Sequence, residues 1–160
     1  VYRYLYDVPS EESSMQIKKS LELLSSSETL SVKDGRLWPP KRKNPGYSEL
    51  IILSRLVEPI LEELFVILSL ASTRRFNELD LRDKTESILS YLSELRKTSK
   101  VTNLNQGLAE EFIEKAISSS LIGVTDDRSV HAGKVARLAI ALFEPLMNED
   151  VIEILSKQAT

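Results

Sequence analysis

The chain has 160 residues, 42% of them hydrophobic and 28% charged, with a formal net charge of −3 and no cysteine. That length allows one real hydrophobic core. The missing cysteine excludes disulfides, thiolate metal sites and cysteine nucleophiles together, and fits a reducing compartment. The acidic balance weighs against a polyanion binder, which shows a basic excess or a basic face.

Residues Val1–Pro9 (VYRYLYDVP) lack the charged start and long apolar stretch of a signal peptide. Tyr2, Tyr4 and Tyr6 alternate with Arg3, Leu5 and Asp7, which suits a short strand; a helical tail is the other reading. This opening reads as the middle of a longer polypeptide, and a lightly trimmed chain fits as well. Ser10 as N-cap, with Glu11 and Glu12 in the first turn, predicts a helix. It carries Met15, Ile17, Leu21 and Leu24 and frays at Ser25–Ser27. Thr29–Val32 and Arg36–Trp38 flank Lys33-Asp34-Gly35. Asp-Gly suits turn positions of positive φ, so a hairpin is expected. A helix leading into a two-stranded wing is the tail of a winged-helix unit. Pro39–Pro45 (PPKRKNP) reads as a linker with a basic triplet.

Tyr47–Leu70 is the longest apolar stretch and predicts a long helix from Ser48 to about Thr73. Leu50, Leu53, Val57, Ile60, Leu61, Leu64 and Leu68 form one stripe at spacings of three and four. Ile51, Ile52, Phe65, Val66 and Ile67 widen it until most of the circumference is apolar. Such a helix is expected to be central and buried on several sides. Arg55, Glu58, Glu62 and Glu63 make it a poor membrane span. Pro59 predicts a kink near Arg55–Pro59.

Leu79–Leu95 predicts a second long helix, with Leu81, Ile88, Leu92 and Leu95 inward and Thr85 and Leu89 beside them. Thr98–Asn105 is a polar connection. Gln106–Ser120 predicts a third helix, capped by Asn105, with Leu108, Phe112, Ala116 and Ile117 inward. Leu121–Val124 and Ser129–His131 flank a polar turn and repeat the helix-plus-hairpin plan. Lys134–Leu146 predicts a helix with Val135, Leu138, Leu142 and Phe143 inward. A last helix opens at Asn148 or Glu149 and carries Val151, Ile152, Ile154 and Leu155. The expected fold is mostly α: a helical bundle around a long central helix, with two winged-helix-like helix-plus-hairpin units. Its segments are 1–44, 45–100 and 101–160 within one compact domain.

The residues supply no complete chemical site. His131 is the only histidine, and Ala136 stands where a His-x4-Asp acyltransferase motif needs aspartate. No glycine-rich phosphate loop is present. Ser25–Ser27 and Ser118–Ser120 read as polar helix ends and Asp126-Asp127 as a turn, so no catalytic residue, metal ligand or cofactor site is assigned. Arg36, Trp38, Lys41, Arg42 and Lys43 form the best local constellation. They suit contact with an anionic lipid surface or with nucleic-acid phosphates; a solvated linker is the plain reading. Arg55, Glu58 and Glu62 are spaced to form a structural ion pair within the long helix.

The run LIILSRLVEPILEELFVIL (Leu50–Leu68) resembles a segment of the membrane-bound, bacterial-type glycerol-3-phosphate acyltransferases that lies C-terminal to their catalytic domain. Lys18–Trp38 is similar to the family's helix and short hairpin. Gln106–Val124 (QGLAEEFIEKAISSSLIGV) is similar to a further segment, through Glu111, Phe112, Glu114, Lys115 and Leu121. Gln106-Gly107 departs from the proline the family often has there. The resemblance implies a parent enzyme that moves an acyl group from acyl-CoA or acyl carrier protein to the sn-1 hydroxyl of glycerol 3-phosphate. The family's catalytic residues lie upstream, so none falls on this chain.

The expected role is therefore a non-catalytic C-terminal region that supports the catalytic domain or docks on the membrane. Its expected partners are the catalytic domain of the same parent chain and an anionic membrane surface. Its expected place is the cytoplasm or the cytoplasmic face of a membrane. The alternative is a free-standing winged-helix-like module that binds protein or DNA, with nucleic acid disfavoured by the net charge.

Overall fold

The computed structural model describes residues 10–33, 36–96 and 108–158. The strand expected over Val1–Val8, the Asp34-Gly35 turn, the Thr98–Asn105 connection and the Asn105 cap lie outside them. The fold is mostly α with two small antiparallel hairpins. The chain divides inside one long helix, between Ile60 and Leu61, into two compact units.

The unit that ends at Ile60 begins with α1 (Ser10–Ser26). Glu28, at φ 58°, reverses the chain, and Leu30 N–H donates to Leu24 C=O at 3.0 Å. β1 (Ser31–Lys33) and β2 (Arg36–Trp38) then pair, with Ser31 opposite Trp38, Val32 opposite Leu37 and Lys33 opposite Arg36. Of the inner face expected on α1, only Leu21 and Leu24 are half-buried; Met15 and Ile17 are exposed.

α2 (Pro45–Thr73) starts three residues before the expected Ser48. The Asn44 side chain accepts Gly46 N–H at 2.8 Å, and Pro45 takes the first helical position, where its missing N–H costs nothing. The buried Thr29 hydroxyl donates to Glu49 Oε2 at 2.8 Å and ties the α1–β1 turn to the first turn of α2. Gly46 sits so close to that turn that a Cβ would lie 2.4 Å from the Glu28 carbonyl oxygen. Gly46→Ala is therefore expected to destabilise this unit by roughly 1–3 kcal/mol, because backbone must move. Urea unfolding of the variant measures it; an unchanged midpoint would show that the close approach is not needed.

The central-helix reading holds for only half of α2. Residues 51–60 are all exposed, whereas Glu62–Ala71 are all buried, with Val66, Ile67 and Leu68 at 0%. In the unit that ends at Ile60, α1 and a hairpin of three-residue strands are the other elements among the described residues. The helix itself runs through Pro59 without a break.

The unit from Leu61 onward holds the core. α3 (Glu78–Leu95) is capped by Asn77, whose side chain accepts Asp80 N–H at 2.8 Å. It buries Leu81, Thr85, Ile88 and Leu92, the expected stripe, while Leu95 stays half-exposed. α4 (Leu108–Ser118) buries Ala109, Phe112, Ile113 and Ala116. β3 (Ile122–Val124) pairs with β4 (Val130–Ala132). Between them, Asp127 accepts Ser129 N–H and the Thr125 hydroxyl, which makes the expected turn. α5 (Lys134–Phe143), a short 3-10 turn (Glu144–Leu146) and α6 (Glu149–Gln158) follow.

α5 packs Val135 and Phe143 of the expected inward set against the core, but not the two leucines. Leu138 and Leu142 are exposed; Ala136 and Ala139 are buried, with Val135, Ile140 and Phe143 packed beside them. The small side chains occupy the inward positions and the bulky leucines face out.

Phe76 adds an element that the sequence reading lacks. It forms an antiparallel bridge with Val130, whose N–H donates to Phe76 C=O at 2.6 Å. The order is then helix, bridge, helix, helix, hairpin. That is the order of a winged helix, in which the hairpin is the wing.

Candidate functional site

Arg36, Trp38, Lys41, Arg42 and Lys43 are all exposed. Paired residues of a hairpin share a face, and the faces alternate along each strand. The register therefore puts Ser31, Lys33, Arg36 and Trp38 on one face and Val32 and Leu37 on the other. Trp38 is 51% exposed. Lys41–Asn44 makes a tight turn, with Asn44 N–H on Lys41 C=O at 2.8 Å, and Asn44 Nδ2 reaches Glu28 Oε2 at 3.1 Å. The linker that carries the basic triplet is thus held at its α2 end. Lys33 belongs with this set, although the sequence reading took it as a turn residue.

Arg55 and Glu58 lie on the exposed half of α2, not in a partly buried position. Glu62 lies in the buried half and is engaged by Arg96. Arg96 Nη1 donates to Glu62 Oε2 at 2.9 Å, while Nε and Nη2 grip Asp150 at 2.6 and 2.7 Å. One guanidinium thus joins α2, the end of α3 and the first turn of α6. The two-pronged hydrogen bond from Arg96 holds the Asp150 carboxyl below the usual carboxylate range. The same bonds push the guanidinium further toward its charged form. No sequence pattern pairs position 62 with position 96, so the partner was not legible.

Glu63 is 0% exposed, and among the described residues neither of its carboxylate oxygens has a hydrogen-bond partner. Desolvation by burial pushes its pKa up to about 7, with the charge of Glu86 adding to the effect.

In a winged helix that reads DNA, the helix before the wing is the reading helix. Here that helix is α4, which exposes Glu110, Glu111 and Glu114; Lys115 is taken up by Glu111. An acidic helix repels phosphates. At the start of α5, His131, Gly133, Lys134, Arg137 and Leu138 line an open depression of about 500 Å³. Its lining holds no carboxylate and no hydroxyl to serve as base or nucleophile. Among the described residues no cluster of three or more His, Asp or Glu could hold a metal ion, and no helix is long and apolar enough to cross a membrane.

Residues 51–60 of α2 expose an apolar stripe. Ile52, Leu56 and Ile60 recur every four residues, with Leu53 and Val57 beside them, so the five share one face. They are 40–65% exposed. Ser54, Arg55 and Glu58 fall on the opposite face. The stripe offers on the order of 400 Å² of apolar surface, a size that on monomers is often functional.

Comparison with protein-family models, with curated proteins and with solved structures gives no match. The likeness to the glycerol-3-phosphate acyltransferases therefore rests on the quoted residues alone.

Proposed function

We propose that this chain is a non-catalytic, C-terminal region of a glycerol-3-phosphate O-acyltransferase, serving as a docking piece for the catalytic domain of the same parent. One observation carries the reading. A segment with one of the more specific likenesses to that family, Leu53-Ser54-Arg55 and its flanks, carries on one side an apolar helical face (Ile52, Leu53, Leu56, Val57 and Ile60) that stays exposed among the described residues. A sequence does not keep five large aliphatic side chains on one exposed face for solubility; such a face meets a partner.

The chain has no cysteine, so Leu56→Cys gives a single thiol to probe. In the isolated chain it reacts rapidly with a maleimide. With the catalytic domain present, labelling is expected to slow at least tenfold. Equal rates would overturn docking at this face. Ile52→Ser and Leu56→Ser are expected to change the isolated chain's stability by less than about 0.5 kcal/mol, as for exposed positions.

A second reading is supported by the Phe76–Val130 bridge, which completes a winged helix: a free-standing interaction module. The acidic face of α4 favours a protein partner over DNA for that module.

A further inference from the structure

We propose that the hairpin face bearing Lys33, Arg36 and Trp38, extended by Lys41, Arg42 and Lys43, is a contact surface for an anionic lipid bilayer. The inference goes beyond the docking role above: it concerns a different surface, rests on the hairpin's own geometry and stands apart from the acyltransferase reading.

The register places Lys33 directly opposite Arg36. Like charges at directly opposed positions destabilise a strand pair. A hairpin of two three-residue strands has little stability to spare. An anionic surface on that face turns the repulsion into attraction to both side chains. Trp38 lies on the same face, half-exposed, two residues from Arg36 along the strand. Tryptophan prefers the headgroup level of a bilayer, where an apolar ring and a polar N–H are both accommodated. The three linker cations follow at once, exposed, on a turn anchored by Asn44. Five cations against one carboxylate, that of Asp34, thus lie within residues 33–43 of a chain whose net charge is −3. Each basic residue held near an anionic bilayer surface adds attraction.

Lipid is favoured over nucleic acid because the half-exposed Trp38 ring shares the face of Lys33 and Arg36. A bilayer interface receives an indole ring and cations together, whereas phosphate contact draws on the cations alone.

Trp38 is the only tryptophan, so its fluorescence reports this site alone. The 160-residue chain is titrated with vesicles of phosphatidylcholine containing 30% phosphatidylglycerol, and with phosphatidylcholine vesicles. A blue shift with the anionic vesicles only, reversed by 0.5 M NaCl, is expected. Lys33→Glu with Arg36→Glu should weaken co-sedimentation at least tenfold, as loss and reversal of two surface charges requires. Far-UV circular dichroism, and the milder Lys33→Gln with Arg36→Gln, separate lost binding from lost folding. An unshifted Trp38 on anionic vesicles overturns the proposal, as does an equal shift on neutral ones. A Trp38 change with duplex DNA or RNA but not with vesicles overturns it in favour of nucleic acid. None of these outcomes depends on a catalytic domain.

Discussion

Glu63→Leu is expected to stabilise the unit from Leu61 onward by about 3 kcal/mol more at pH 8 than below pH 5. The carboxyl is fully buried, without a hydrogen-bond partner among the described residues, and Glu86 stands across from it. Its folded-state pKa of about 7 lies above the ordinary 4.5. The folded chain therefore holds the proton more tightly than the unfolded chain. Stability is full below 4.5, falls as pH rises toward 7, and stays low above it. A gap of two to three pH units corresponds to about 3 kcal/mol. Replacing the group with leucine removes the titration and leaves no ionisable oxygen in the core. Glu63→Gln removes the titration but keeps a polar group without a partner, so its gain is smaller. Thermal unfolding at pH 5 and pH 8 reads the effect, as a rise that is roughly 10 °C larger at pH 8 than at pH 5. A Glu63→Leu chain that unfolds at the wild-type temperature at both pH values would show that the carboxyl has partners or water.

Arg96→Met is expected to destabilise the same unit by about 3 kcal/mol near pH 7. The substitution preserves the length of the stem but removes the guanidinium that Glu62 and Asp150 share. Glu62 is then left buried with no counter-charge, and breaking one side of such a pair costs more than replacing the whole pair with apolar residues. Glu62→Leu combined with Arg96→Met should therefore recover much of the loss. Asp150 has its pKa lowered by Arg96, so its contribution is present above the ordinary carboxylate value and lost as pH falls through the folded one. The cost of Arg96→Met should shrink below about pH 4. Urea midpoints of the two variants test this; a single variant as stable as the wild type would mean the cluster is solvated in solution.

Together the two groups bend the stability profile from both ends. Glu63 lowers stability toward alkaline pH and the Arg96 cluster loses its hold in acid, so the maximum is expected near pH 5.

Element type was readable along most of the described chain because the signals are local. Asp-Gly between short apolar runs marks the first hairpin, and three-and-four spacing marks α2, α3 and α4. Boundaries shifted where a cap was missed, as at Asn44 before Pro45 and Asn77 before Glu78. Burial was harder, because periodicity names a face without naming what covers it. α2 has an apolar stripe along its length, yet its first half is exposed. On α5 the bulky leucines drew attention from the alanines that pack inward. The Arg96 cluster and the Phe76 bridge join residues 34 to 54 positions apart, and no local pattern carries such a pairing. The basic set around Trp38 was legible as composition, but only the strand register shows that Lys33 shares its face.

The most direct test is the intact mass of the native polypeptide that carries these residues, taken from its source cells by immunocapture. The proposed role predicts a much longer chain, with a catalytic domain containing His-x4-Asp upstream and glycerol-3-phosphate acyltransferase activity in the captured material. A native product that begins at or just before Val1, without that activity, would contradict it and leave the free-standing interaction module in its place.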